Sequence, residues 1–189
     1  MSDLLKDFSI LICSLESRSL KLNRLLSILK EQADDRVEIL VSVDSGEKSV
    51  GAKRNELVKA SCGKYLAFID DDDIVSDDYV DLILKAIQDG PDVVGLQLDY
   101  YQDGVFYGVA YHSIEYRSWY QEPNHENGTN NYYRNPNHLN PVKREFASSI
   151  LYPEIDIGED RDYSMRLLSL LNSEHYIKKP IYTYLCETK

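Results

Sequence analysis

Four consecutive carboxylates, Asp70-Asp71-Asp72-Asp73, follow directly on the apolar run Tyr65-Leu66-Ala67-Phe68-Ile69. Two unit charges ~4 Å apart repel by ~4 kcal/mol at an effective dielectric of ~20. A chain that keeps four acids where Asn or Ser would serve therefore has a cation to hold there. On an extended backbone alternate side chains face opposite ways, which puts Asp70 and Asp72 on one side and Asp71 and Asp73 on the other. Hard oxygen ligands suit Mg²⁺ or Mn²⁺, and magnesium is commonly held by one or two carboxylates with phosphate oxygens completing its shell. The run thus points to a divalent cation and a phosphorylated ligand. The competing reading is a solvated acidic turn, with Asp77 and Asp78 favouring the positive end of the next helix. The Gly and closing Glu of a calcium-binding EF-hand loop are missing at the required offsets.

The elements around the run predict how it is positioned. Phe8 to Cys13 reads as a strand buried on both faces. Leu20 to Lys30 carries Leu22, Leu25, Leu26 and Leu29 at helical spacing. Val37 to Val43 reads as a second buried strand, Val50 to Ser61 as a helix ending near Gly63, and Tyr65 to Ile69 as a third strand. Asp78 to Gln88 reads as a helix capped by Ser76 or Asp77, and Asp92 to Leu98 as a fourth strand. Strands alternating with helices imply right-handed crossovers and a parallel, Rossmann-like α/β sheet, whose ligands gather at the carboxyl ends of the strands. Beyond residue 100, Tyr100 to His112 reads as an aromatic-rich hairpin around Asp103-Gly104. Residues 121–137 read as a long loop or lid, Gly158 to Leu171 as a helix, and Tyr176 to Leu185 as a strand pair interrupted by Pro180. The second half is too short to bury a core of its own. The expectation is one domain over 1–189, with a ligand-binding half at 1–99 and a second half at 100–189 packed on the same sheet.

Composition narrows the function. Lys plus Arg is 21 and Asp plus Glu is 32, a formal charge of −11. Bulk binding to nucleic acid or to an anionic membrane rewards a basic face and is not expected. The first residues lack the basic start and long apolar run of a leader, and no stretch approaches the ~20 apolar residues of a membrane helix. Cys13, Cys62 and Cys186 are odd in number and far apart, which fits neither a disulfide framework nor a zinc site. They read as small core residues in a reducing, cytoplasmic setting. Without secretion the sequon Asn127-Gly128-Thr129 carries no weight.

In order and spacing, five segments of the chain resemble the family 2 glycosyltransferases, inverting enzymes of the GT-A fold that use nucleotide-diphosphate sugars. They are Phe8-Ser9-Ile10-Leu11-Ile12-Cys13-Ser14-Leu15-Glu16-Ser17-Arg18, Glu38 to Gly46, Gly51-Ala52-Lys53-Arg54-Asn55, Ala60 to Asp73, and Gly158-Glu159-Asp160-Arg161-Asp162. The resemblance implies that Asp44 accepts a hydrogen bond from the nucleotide base, usually uracil. The backbone around Ser14 and Leu15, with Glu16 next in the loop, lines base and ribose. Arg54 faces the base or diphosphate, and Asp71 lies near the ribose. Asp72 is the principal ligand of the Mn²⁺ or Mg²⁺, with Asp70 as second carboxylate or support, and Asp160 is the catalytic base. Two departures bear on the donor base: Cys13-Ser14-Leu15-Glu16 stands where the family often has Pro-Thr-x-Asn, and Ser45 follows Asp44 where it often has a second acid.

The chemistry of glycosyl transfer accounts for these parts. Negative charge builds on the leaving phosphate, which a metal stabilises as a Lewis acid. Lys53 and Arg54 add to this if they face the strand ends, or are solvated helix cations if they do not. The acceptor hydroxyl must lose a proton, and a carboxylate such as Asp160 takes it. A helix N-terminus makes that carboxylate a weaker base and burial offsets the effect, while simple capping by Glu159 or Asp160 is the structural alternative. Glu159 is a candidate acceptor contact. His138, after the long loop, either completes the metal shell, touches the diphosphate or serves as a structural hydrogen-bonder. Most of the tyrosines are expected to form a satellite core, with Trp119 and Tyr120 as the acceptor-side sugar contacts.

Two other functions use the same residues. Phe68-Ile69-Asp70-Asp71-Asp72 is similar to the nucleophile motif of haloacid-dehalogenase-like phosphatases, but that family places it on the first strand, and here two strand–helix units precede it. A non-catalytic nucleotide-sugar-binding module is the other. The expectation is a metal-dependent inverting transferase moving a sugar from a nucleotide-diphosphate donor, with UDP the expected nucleotide, to the hydroxyl of a glycan, lipid, protein or modified base.

Overall fold

The computed structural model describes residues 6–188; residues 1–5, part of the stretch read as carrying no leader, and residue 189 lie outside the described residues. The centre is β1 (Phe8–Leu15), flanked in parallel register by β2 (Val37–Asp44) and β3 (Tyr65–Phe68). Its near-continuous apolar run follows from burial on both faces. Ile10 and Ile12 pack on one side with Leu22, Leu25 and Leu29 of α1 (Ser19–Gln32) and with Val80 and Ile83 of α3 (Tyr79–Ala86). Leu11 packs on the other side with Leu57 and Val58 of α2 (Val50–Ala60) and with Tyr163 and Leu167 of α5 (Glu159–Leu168).

The sheet continues through β9 (Val142–Lys143), β5 (Val93–Gln102), β6 (Val105–His112), β8 (Thr129–Arg134) and β7 (Tyr120–Asn124). The long β10 (Glu174–Cys186) lies parallel to β5 and antiparallel to the short β4 (Ile74–Val75). This is the α/β, mostly parallel, helix-flanked sheet of the GT-A type that the sequence leads one to expect.

Several local expectations are corrected. β2 is an edge strand and mostly half-buried rather than doubly buried. The sheet is not wholly parallel: β9, which is followed by the short α4 (Arg144–Ala147), lies antiparallel between β3 and β5. Most of 121–137 is not a loop but the hairpin β7–β8, closed by Asn127-Gly128 with Gly128 at φ 72°. Only glycine adopts that conformation without steric cost, so Asn-Gly acts here as a hairpin turn. The closing strand pair is one strand: Pro180 has no N–H to donate, and β10 shifts register on both sides of it instead of ending. Neither Ser76 nor Asp77 caps α3, whose N-cap is Asp78 with no side-chain cap bond; Ser76 Oγ donates to Asp78 at 2.8 Å. The three cysteines are free and half-buried; Cys13 packs against the core as expected, while Cys62 and Cys186 lie outside both core clusters.

Candidate active site

The four aspartates form a turn rather than an extended segment, with Asp73 N–H donating to Asp70 O at 3.1 Å, yet their burial alternates: Asp70 and Asp72 are half-buried, Asp71 and Asp73 buried. Each acid has its own cationic or donor partner. Asp70 lies 3.3 Å from Nη2 of Arg54 through one oxygen and 3.4 Å from Nε2 of His138 through the other. Burial by itself pushes this carboxyl up, but His138, Arg54 and Arg18 together hold it well below the usual carboxylate range. Asp71 is buried; it accepts from Ser14 Oγ at 2.5 Å and sits 3.1 Å from Nη2 of Arg18, and burial raises its pKa. Asp72 is partly exposed and carries the same guanidinium of Arg18 on Oδ2, with Lys21 Nζ at 3.9 Å. Asp73 is fully buried and accepts from the Tyr182 hydroxyl at 2.6 Å and from Leu185 N–H at 2.8 Å. Burial and the neighbouring Asp70 push it up to about 8.

α2 supplies two buried cations. Lys53 is not a solvated helix cation: its Nζ donates to Ser14 O at 2.9 Å and to Asp44 at 2.7 Å. Asp44 also accepts from the N–H groups of Lys48 and Gly46, and the Lys53 bond leads in holding its pKa down. Arg54 lies between Asp70 and Glu159, whose Oε1 is 3.1 Å from Nη1, with its guanidinium 5.3 Å from the Phe68 ring and 5.4 Å from that of Tyr152. Burial opposes its charge and the acids restore it.

Gly51 explains how α2 meets the segment leading into α5. A Cβ there would stand 1.8 Å from Pro153 O. The bare backbone lets 153–156 close on the helix, with Gly51 N–H donating to Ile155 O at 3.2 Å and Val50 N–H to Asp156 Oδ1 at 3.0 Å. Asn55 bonds Tyr152 in both directions. The clamp brings Gly158, at φ 87°, and the acidic first turn of α5 to the carboxyl ends of β1 and β3.

Two clefts of about 490 Å³ each result, and Arg54, Asp70, Asp156 and Glu159 line both. The first contains Cys13, Ser14, Leu15, Arg18, Lys53, Asp71 and Asp72. Burial pushes the Cys13 thiol up to about 12, so it is a neutral wall residue. The second contains His138, Asp160, Trp119, Tyr132 and Arg134. His138 Nδ1 is 4.0 Å from Asp160 Oδ2, so one imidazole stands between Asp70 and Asp160.

The fold therefore gathers Ser14, Leu15, Lys53, Arg54, Asp70, Asp71 and Asp72 around one cleft, and His138, Glu159, Asp160 and Trp119 around the other. Asp44 stands behind Lys53. Glu16 accepts from Ser45 Oγ at 2.7 Å and, like Tyr120, lies outside both clefts. Tyr120 is exposed and stacks on Tyr133 at 4.7 Å. Arg18, Asp156 and Arg134 were not singled out from the sequence. Arg18 had a usable signal, being a cation in the first strand–helix loop, beside the loop that holds the acids. Arg134 had none, since only strand pairing brings it to Trp119.

The divalent cation can be tested against these side chains. Among the described residues no three metal-binding side chains converge on one point. Two half-buried carboxylates, Asp70 and Asp72, fit a Mg²⁺ or Mn²⁺ that would bring most of its shell with a diphosphate, better than a resident ion with an all-protein cage.

Comparison with known proteins agrees with this architecture. No curated protein sequence matches the chain. The structure is similar to crystal structures of Staphylococcus aureus TarS 1–349: with UDP-GlcNAc at TM-score 0.70, 16% identity and 97% of this chain, and with UDP at 0.69, 16% and 95%. The chain spans only 59–60% of those structures. The family described as Glycosyl transferase family 2 matches residues 23–148, which takes in the acid run, both cations of α2 and His138. Covering two thirds of the chain, that match shows that the chain belongs to glycosyl transferase family 2.

Proposed function

We propose that this chain transfers a sugar from a nucleotide-diphosphate donor, most simply a UDP-sugar, to an acceptor hydroxyl with inversion at the anomeric carbon. The observation that carries the reading is the position of Asp70 at the junction of two clefts, with Asp72 facing one and Asp160 the other. TarS structures that hold UDP and UDP-GlcNAc share the fold, which supports a uridine nucleotide in the first cleft.

In this reading Ser14, the Leu15 backbone and Asp44 with Lys53 receive the base and ribose, and Asp71 fixes the ribose side through its bond to Ser14. Asp72, supported by Asp70, holds the Mn²⁺ or Mg²⁺ that arrives with the diphosphate; when bound, that ion supplies Lewis-acid stabilisation of the leaving group. Arg54 adds positive charge where the anomeric carbon–oxygen bond breaks. Asp160 accepts the proton of the attacking hydroxyl as its oxygen bonds to the anomeric carbon from the opposite face. His138 orients Asp160 and keeps Asp70 ionised. Trp119 and Glu159 line the acceptor path.

The test is Asp160→Asn with a UDP-sugar and Mn²⁺. The expected result is unchanged donor binding and a loss of transfer on the order of 10²–10⁴-fold. Transfer at the original rate would sink the assignment. Donor binding without turnover in the unmodified protein would make it a binding module instead.

A further inference from the structure

Around the Trp119 ring, which lines the second cleft, stands positive charge that the proposed chemistry does not use. Arg134, on β8, has its guanidinium 5.1 Å from the Trp119 ring, and Arg161, on the first turn of α5, has its own 6.0 Å from the same ring. Neither has a carboxylate within 4 Å among the described residues, in a chain where acids outnumber Lys plus Arg 32 to 21. The acids close in sequence are committed elsewhere. Asp162 pairs with Arg166, Asp160 accepts from the Arg161 main-chain N–H at 2.8 Å, and Asp156 accepts from Val50 N–H. Nη1 of Arg134 is fixed by the carbonyls of Tyr120 and Tyr133, both at 2.9 Å, which leaves the rest of the fork free. Burial and the charge of Arg161 both work against ionisation of Arg134, so the pair is held together at a cost. The indole Nε1–H of Trp119 is buried without an acceptor among the described residues. Arg161, the part of the Arg134 fork that the two carbonyls leave free, and the unpaired indole N–H meet at one ring with no carboxylate partner among the described residues.

We propose that Trp119, Arg134 and Arg161 form an oxyanion subsite, and that the acceptor is a hydroxyl compound carrying a phosphate or carboxylate group. The inference rests on the transferase reading for its word acceptor, while the anion site stands on its own geometry. Arginine forks match both oxyanions bidentately, and a desolvated indole N–H adds a third donor. Arg161 adjoins Asp160, so an anion held here leaves a hydroxyl of the same molecule within reach of the base.

Trp119 is the only tryptophan in the chain, so its fluorescence reports on this site alone. The full chain is titrated with glycerol phosphate and with glucuronate, and in parallel with glycerol and glucose. The expected result is a saturable change with the anions, weakened by added NaCl, and none with the neutral compounds. The tighter of the two anions identifies the group. Arg161→Gln, an exposed position that leaves folding intact, and Arg134→Gln are each expected to weaken the response about tenfold, with Arg134→Lys retaining part of it. Equal response to neutral compounds, or a response unchanged in both glutamine variants, would overturn the subsite. UDP binding, measured separately by calorimetry, tells the two failures apart: loss of UDP binding with the anion response intact refutes the donor reading and leaves this one standing.

Discussion

The guanidinium of Arg18 rests on the carboxylate of Asp72 and reaches Asp71 at 3.1 Å with the same nitrogen. One side-chain cation thus neutralises two adjacent acids that would otherwise repel each other, and it occupies the edge of Asp72 that faces the first cleft. In the proposed reaction the arriving metal and Arg18 compete for that oxygen. Arg18→Gln is therefore expected to destabilise the ligand-free protein by about 1–3 kcal/mol, because buried Asp71 loses its cation. The same variant should gain more thermal stability from Mn²⁺ than the unmodified protein does. A smaller Mn²⁺ shift in a melting experiment would show that Arg18 does not shield the acid.

Asp72→Ala removes a half-buried carboxylate while leaving the buried Asp71–Ser14 and Asp73–Tyr182 bonds in place. Calorimetry with a UDP-sugar and Mn²⁺ should show affinity reduced at least about tenfold, near 1.4 kcal/mol. A chelator should reduce affinity of the unmodified protein to the same level and have little further effect on the variant. Binding indifferent to both treatments would remove the metal from the account.

Gly51→Ala places a methyl group against Pro153 O and prises the 153–156 segment from α2. The expected loss is about 1–3 kcal/mol, a Tm drop on the order of 3–10 °C. Because Asp156 and Glu159 line both clefts, donor binding and turnover should fall together. A variant with unchanged Tm would mean that the segment relaxes freely.

Glu38 ties three parts of the first half together, accepting from Ser9 Oγ at 2.5 Å, Cys62 N–H at 2.5 Å and Gly63 N–H at 3.1 Å. Burial by itself raises its pKa, and these donors outweigh it to leave the group lower than normal. A depressed carboxylate stabilises the fold above its unfolded pKa and loses that contribution as pH falls through the folded value. Glu38→Gln is expected to cost about 1 kcal/mol at pH 7, since solvent screens part of the interaction. The gap between variant and parent should close below about pH 4 in denaturant titrations. A gap constant from pH 7 to pH 3 would assign the loss to shape rather than charge.

Much of the first half was legible because its signals are local. Leu22, Leu25 and Leu29 mark a helix by spacing, and the run from Phe8 to Ile12 marks a doubly covered strand by its lack of alternation. The order of the acid run, Lys53-Arg54 and Asp160 identified the family. The second half was less legible because its structure depends on pairing between distant segments. β9 has only two residues and draws its identity from β3 and β5, while β10 crosses Pro180 because β5 lies alongside it. The partners of the site were hidden for the same reason. No spacing rule reveals that Lys53 is buried against Asp44, that Glu16 turns to Ser45, or that Arg134 and Arg161 converge on one indole.

Tyr182 and Leu185 close the last open valence of the acid run, since both of their bonds end on Asp73. The acid run in the first half is thus completed by residues more than 100 positions further along the chain. Residues 1–181 by themselves lack both the hydroxyl and the N–H that seat this aspartate, so the turn that presents its neighbours depends on β10.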